Sequence, residues 1–254
     1  MKLLKWSLIM TYFLVLGTQI KAQQFNSDNY LTMPHGTGTF ILTYGERNAT
    51  MYSVFALKPR FELNVQANLF WENKDQPTNR FTSNIYGKYM FWVNKKNNGG
   101  GAVFLGIGQS RGYYSESTYS AMHKNYWTAV PITFPLFHDN VFLDLMPGGL
   151  IDFDYGNSKK TALGFTYSSR LAIYKIIPRS AIVGEVYGTA GKANSPAEYK
   201  AGIRFEPNDF VVVAATYGGR IDGNKASGFE LGLMIFTPQF LKKDFIKNND
   251  IKYD

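Results

Sequence analysis

The side chains best suited to proton transfer near neutral pH in this 254-residue chain are three histidines, His35, His123 and His138. A hydroxyl nucleophile needs such a base within hydrogen-bond reach. None of the three has a serine two residues away, and His123 and His138 fall in loop-like and turn-like sequence. No catalytic residue is therefore assigned. Asp144, Asp152 and Asp154 supply the oxygen ligands that a hard cation prefers. The same run reads equally as one face or one end of a strand, and no metal or cofactor is expected. Asn98-Gly99-Gly100-Gly101 reads as a turn rather than a phosphate cradle. The chain has no cysteine, which removes thiolate and disulfide chemistry and a lipid-anchored amino terminus.

The remaining chemistry lies in charged and amide side chains that recur every second residue. Phe61 to Phe70 is the clearest case. Phe61, Leu63, Val65, Ala67 and Leu69 share one face, and Glu62, Asn64, Gln66 and Asn68 share the other. Strict alternation marks a strand with one apolar and one polar face. Leu163, Phe165, Tyr167, Leu171 and Ile173 repeat it against Thr166, Ser168 and Arg170. Tyr199, Ala201, Ile203 and Phe205 repeat it against Lys200 and Arg204, and Phe229, Leu231, Leu233 and Ile235 against Glu230.

About twelve such strands are expected, near 37–45, 50–57, 61–72, 81–93, 100–110, 125–137, 141–155, 161–175, 180–190, 197–206, 209–218 and 226–237. Pro131 and Pro135 inside the sixth, and Met146-Pro147-Gly148-Gly149 inside the seventh, call for bulges or breaks. The connections alternate in kind. Lys58-Pro59-Arg60, 94–99, His138-Asp139-Asn140, 176–179 and Pro207-Asn208 form one set, mostly brief. Glu46–Ala49, 73–80, Arg111–Lys124, 156–160, 191–196 and 219–225 form a set mostly longer and more polar. Short turns on one side and longer loops on the other are the pattern of a transmembrane barrel. The fold expected is all-β: a single transmembrane antiparallel β-barrel over residues 23–237.

Composition agrees. Aromatic residues make up 16% of the chain, yet mean hydropathy is −0.20. Only alternate residues of a spanning strand need be apolar. Tyr86, Tyr89, Phe91 and Trp92, with Tyr113, Tyr114, Tyr119, Tyr126 and Trp127, are expected as rings at headgroup level. Lys2 and Lys5, the apolar run Leu8–Gly17 and a small residue at Ala22 have the layout of a secretory signal peptide over residues 1–22. Removing it takes Lys2, Lys5 and Lys21 away, so the formal charge falls from +8 to 8 − 3 = +5. No basic run interleaved with stacking aromatics points to nucleic acid. Residues 238–254 are expected as a periplasmic tail.

The last strand, Glu230-Leu231-Gly232-Leu233-Met234-Ile235-Phe236, resembles the C-terminal signal of outer-membrane β-barrel proteins, although this chain continues to Asp254. The resemblance implies outer-membrane lipid and the barrel-assembly machinery as partners. With apolar residues facing lipid, Glu62, Asn64, Gln66, Lys88, Arg170, Lys200, Arg204 and Glu230 are the candidate lumen-facing residues, with Asp144 and Glu185 beside them. Such charges either line a pore or pair into a plug. Three functions fit: a narrow channel or passive transporter for small polar solutes, a lipid-acting enzyme of this family, or a non-conducting binding or structural barrel. An enzyme is the less favoured. The mature protein is expected to begin at Gln23 and to fractionate with the outer membrane. Intact-mass measurement on fractionated membranes checks both, and a retained N-terminus or a soluble periplasmic product overturns the assignment.

Overall fold

A computed structural model of the chain describes residues 25, 27–71, 80–108, 125–137, 140–153 and 160–241. The signal peptide, His123, His138, Asp154 and the loop Arg111–Lys124 lie outside them. Fourteen strand segments form one antiparallel sheet: β1 (Gly38–Gly45), β2 (Asn48–Lys58), β3 (Phe61–Phe70), β4 (Arg80–Val93), β5 (Gly100–Gly108), β6 (Asn125–Ala129), β7 (Ile132–Leu136), β8 (Val141–Leu145), β9 (Gly148–Asp152), β10 (Ala162–Tyr174), β11 (Ser180–Gly191), β12 (Ser195–Asn208), β13 (Val211–Arg220) and β14 (Lys225–Phe236). β6 with β7, and β8 with β9, are each one stave broken near its middle, so the barrel has twelve staves.

β1 pairs with β14 from Thr39↔Phe236 to Gly45↔Glu230 and closes the ring. Closure is obligatory, because a sheet edge facing lipid would leave backbone N–H and C=O groups without partners. The two breaks respect the same rule. Pro131 and Pro147 have no N–H to give, and their carbonyls accept instead: Ala102 N donates to Pro131 O at 3.0 Å and Val130 N to Pro147 O at 2.8 Å. Pro135 stays within β7. Its ring Cδ faces Gly99, where a Cβ would stand 2.8 Å away, just beyond the last β5–β7 pairing at Gly100↔Thr133. Its missing donor thus falls past the end of that ladder.

β5 begins at Gly100, where the fifth strand is expected, so of Asn98-Gly99-Gly100-Gly101 only Asn98 and Gly99 lie in the connection. Gly100 and Gly101 are glycine because rings lie against them from opposite faces. A Cβ at Gly100 would stand 2.5 Å from the Tyr30 ring, and one at Gly101 2.8 Å from Phe91. Arg60, Asn97, Phe137, Lys175 and Arg179 take positive φ, so arginine, lysine and phenylalanine occupy conformations that glycine usually supplies.

The outer surface is apolar at alternate positions: Leu42, Leu105, Leu163, Ile203 and Leu231 are all more than half exposed. A continuous belt of this kind is unstable in water and is what a bilayer core requires. Tyr89, Phe91, Trp92 and Tyr126 are exposed as expected of a girdle, but Tyr86 and Trp127 point inward and are buried. Strand parity decides this, because Tyr86 shares its face with Asn84 and Lys88, not with Tyr89. Both rings join Tyr52 and Phe104 in an inner cluster, with Tyr86–Trp127 centroids 4.9 Å apart and Tyr86–Phe104 centroids 5.2 Å apart. Leu105, 67% exposed at mid-height of β5, tests the facing. Leu105→Arg should destabilise the inserted barrel by about 2–4 kcal/mol. Urea titration in lipid vesicles, followed by the gel shift of folded barrel, measures it; an unchanged midpoint contradicts lipid contact there.

Candidate functional site

Sheet register builds the interior electrostatics. On successive staves the pairings Asp144↔Arg170, Arg170↔Glu185 and Glu185↔Lys200 set opposite charges directly across from one another, and Glu62↔Lys88 does the same on β3 and β4. Directly opposed unlike charges are favourable cross-strand pairs. All are buried within the barrel. Arg170 grips Asp144 Oδ2 through Nε at 2.9 Å and Nη2 at 2.7 Å. Lys200 meets Glu230 Oε2 at 2.6 Å, and Glu230 also accepts from Thr216 Oγ1 at 3.3 Å. Arg204 pairs with Glu206 at 2.7 Å, and Tyr187 donates to Glu198 at 2.8 Å.

Asn64 and Gln66 belong to a neutral polar patch on β2–β4. Asn64 accepts from Tyr52 OH at 2.8 Å, while Gln66 is only half-buried, donates to Asn68 and accepts from Asn84. Asn64 is enclosed by Tyr52 and its neighbours, so an arginine there meets packed rings rather than open lumen. Of the expected residues, Lys88 and Glu62 come together, as do Lys200 and Glu230; Arg170 finds Asp144, and Arg204 finds Glu206, which the sequence reading did not single out.

Sequence reading also missed a second layer. Residues 27–34, between the expected cleavage site and β1, run across the lumen as a strap. Phe25 packs in a pocket of Ala172, Ala181 and Val183 on β10 and β11. Ser27 N donates to Glu185 Oε2 at 2.8 Å, Ser27 Oγ donates to the same oxygen at 2.9 Å, and Ser27 O accepts from Arg170 Nη1 at 3.0 Å. Asp28 lies 3.3 Å from Lys88 Nζ, with Glu62 3.8 Å from the same ammonium. Lys88 Nζ donates to Leu31 O at 2.5 Å, and Met33 N donates to Glu62. Tyr30 N donates to Thr133 Oγ1 at 3.2 Å, and Thr133 donates in turn to Asp144 at 2.5 Å. Burial, together with the Asp144 carboxylate, pushes the Tyr30 phenol up to about 12, so it keeps its proton and donates to Asn97 O at 2.9 Å. The polar run Ser27-Asp28-Asn29 next to a signal sequence was the only hint, and it has no periodicity to place it.

A cavity beside the strap, lined by Met33, Ile41, Tyr52, Glu62 and Lys88 among others, measures about 30 Å³. That is room for water and not for a solute. Among the described residues no group of three His, Cys, Asp or Glu side chains could hold a metal ion. His35 sits at the turn-bearing rim, where its carbonyl accepts from Gln239 Nε2 at 3.2 Å.

Neither a protein-family model nor a curated protein matches the sequence. Solved structures do. A KdgM porin in complex with disordered oligogalacturonate aligns with TM-score 0.51 at 8% identity, covering 80% of this chain and 98% of its own. The COG4313 outer membrane channel from Pseudomonas putida F1 aligns at 0.49 with 11% identity, covering 86% and 99%. The NanC porin aligns at 0.49 with 7%, covering 79% and 97%. At these identities the likeness concerns the fold. The closed, apolar-belted ring and that fold make the chain an outer-membrane β-barrel, located in the outer membrane.

Lys200 and Glu230 give the cleanest energetic test of the interior. Lys200→Met strands a buried carboxylate and should cost about 3–5 kcal/mol. The double variant Lys200→Met/Glu230→Gln should recover most of that. Urea midpoints for the single and double variants decide it, and a double variant no more stable than the single one removes the pair from the argument.

Proposed function

We propose that this protein is a narrow outer-membrane channel for small polar solutes, closed in the present conformation by its own strap. The observation that carries the reading is the bonding of Ser27–Pro34. Phe25, Tyr30, Leu31 and Met33 pack on apolar wall residues, but the strap backbone and Asp28 are held by hydrogen bonds and ion pairs to polar and charged wall side chains. Water can replace such contacts when the strap leaves, whereas a core of interlocked apolar side chains has no alternative partner. A lumen meant only to be filled gains little from buried ions, since well-packed apolar residues are often equally stable there.

The wall charges set the expected selectivity. Among the described residues, buried Lys88, Arg170, Lys200 and Arg204 face buried Glu62, Asp144, Asp152, Glu185, Glu198 and Glu230, a balance of 4 − 6 = −2. The balance predicts a weak preference for cations, because β8, β9, β11 and β12 turn their acids inward. A non-conducting barrel is the second reading. The ring cluster of Tyr52, Tyr86, Phe104 and Trp127 inside the wall favours it.

Planar-bilayer recording separates the two. The intact protein should be closed for most of the record. A folded variant lacking residues 25–33 should show steady current, with modest cation preference that fades as salt rises. A folded strapless barrel that passes no current overturns the channel reading in favour of the second.

A further inference from the structure

The side chains that hold the strap are arranged to read polypeptide backbone. Carboxylates and a hydroxyl meet its N–H groups: Glu185 at Ser27, Thr133 at Tyr30, Glu62 at Met33. Cations meet its carbonyls: Arg170 at Ser27 and Lys88 at Leu31. These five groups come from five different segments, β11, β7, β3, β10 and β4, so the pattern is a property of the whole lumen and not of one hairpin. Apolar seats flank it: the Phe25 pocket at one end, and the bare backbone of Gly100 under the Tyr30 ring.

Donors for carbonyls and acceptors for N–H groups, spaced along a segment bent at Tyr30 and braced between them by its own Asp28 and Asn29 side chains, match the polarity of a peptide main chain. A carbohydrate presents hydroxyls, each both donor and acceptor, and gives no reason for carboxylates and cations to be sorted in this way. Charged partners make these bonds individually strong. We infer that the lumen is a binding site for a peptide the length of Ser27–Met33, which the strap fills in cis and a separate peptide fills when the strap withdraws. This names the solute class of the channel proposed above and rests on that reading for its transport consequence. Binding itself does not require conduction.

The test uses the folded barrel lacking residues 25–33 in lipid nanodiscs, with a fluorescein-labelled synthetic peptide of sequence 25–33 as probe. Fluorescence anisotropy should show saturable binding to the strapless barrel and none to the intact protein, whose site is occupied. A peptide N-methylated at the positions of Ser27, Tyr30 and Met33 keeps every side chain but loses three donors. It should bind at least roughly tenfold more weakly, the equivalent of about one charged hydrogen bond lost. Because deletion can impair insertion, the full-length variant Ser27→Pro/Met33→Pro, which loses two of the same donors, serves as a second acceptor and should also take up the probe. Absence of saturable binding to either folded variant, or equal binding of the N-methylated peptide, overturns the inference. Binding without current in the strapless barrel would leave the peptide site standing and defeat the channel reading. Current without binding would do the reverse.

Discussion

The structure depends on a single requirement: within a bilayer, every backbone N–H and C=O must be bonded inside the protein. The β1–β14 pairing meets it by leaving the sheet no edge. An even number of staves then brings both ends of the wall to one rim, where Gly38 and Thr237 bond each other through backbone and side chain. The same requirement governs the irregular places. The wall can afford Pro131 and Pro147 because their carbonyls are taken up by Ala102 and Val130, and Pro135 because its nitrogen lies beyond the end of a ladder.

Closure also creates two unlike solvents on the two faces of one strand. Outside, the side chains meet lipid, and apolar bulk is sufficient. Inside, the ring is too narrow for its charges to remain separately hydrated, so each must find a partner. The register supplies many of these by setting Asp144, Arg170, Glu185 and Lys200 in an alternating row over consecutive staves. The strap supplies others. Its backbone turns groups on distant staves into one connected network, in which Tyr30, Thr133, Asp144, Arg170 and Ser27 are joined by successive hydrogen bonds. A network of this kind is stable when every member is bonded and costly when one is missing, which favours a strap either fully seated or withdrawn.

The turns show how the same sequence satisfies a weaker constraint. Lysine and arginine at positive φ in the short connections hold a conformation that side chains disfavour by about 1–2 kcal/mol. The flanking ladders over-determine these positions: Met90 N bonds Arg60 O, and Lys175 N bonds Ser180 O. The bulge between Met90 and Trp92 brings Trp92 to the outer surface beside Phe91, so that two neighbouring rings are exposed on a strand whose parity allows only one.

Much of this was legible in the sequence. Period-two alternation in segments such as Phe61–Phe70 fixes which side chains share a face, and alternation is local, so it needs no knowledge of neighbours. The stave number and the breaks at Pro131 and Pro147 follow from the same local signals. What each inward group touches is not local. Glu62 and Lys88 could be placed on inner faces, but that Asp28 and Leu31 also meet Lys88 depends on a segment with no periodicity folding back across the ring. Tyr86 and Trp127 were misread as girdle because aromatic composition says nothing about parity, and only the pairing of β4, β5 and β6 shows both rings turned inward. The sequence determined the wall, since each strand encodes its own two faces. Tertiary structure alone decided that residues 27–34 cross the lumen, because the strap backbone is held by partners that five separate segments bring to one place.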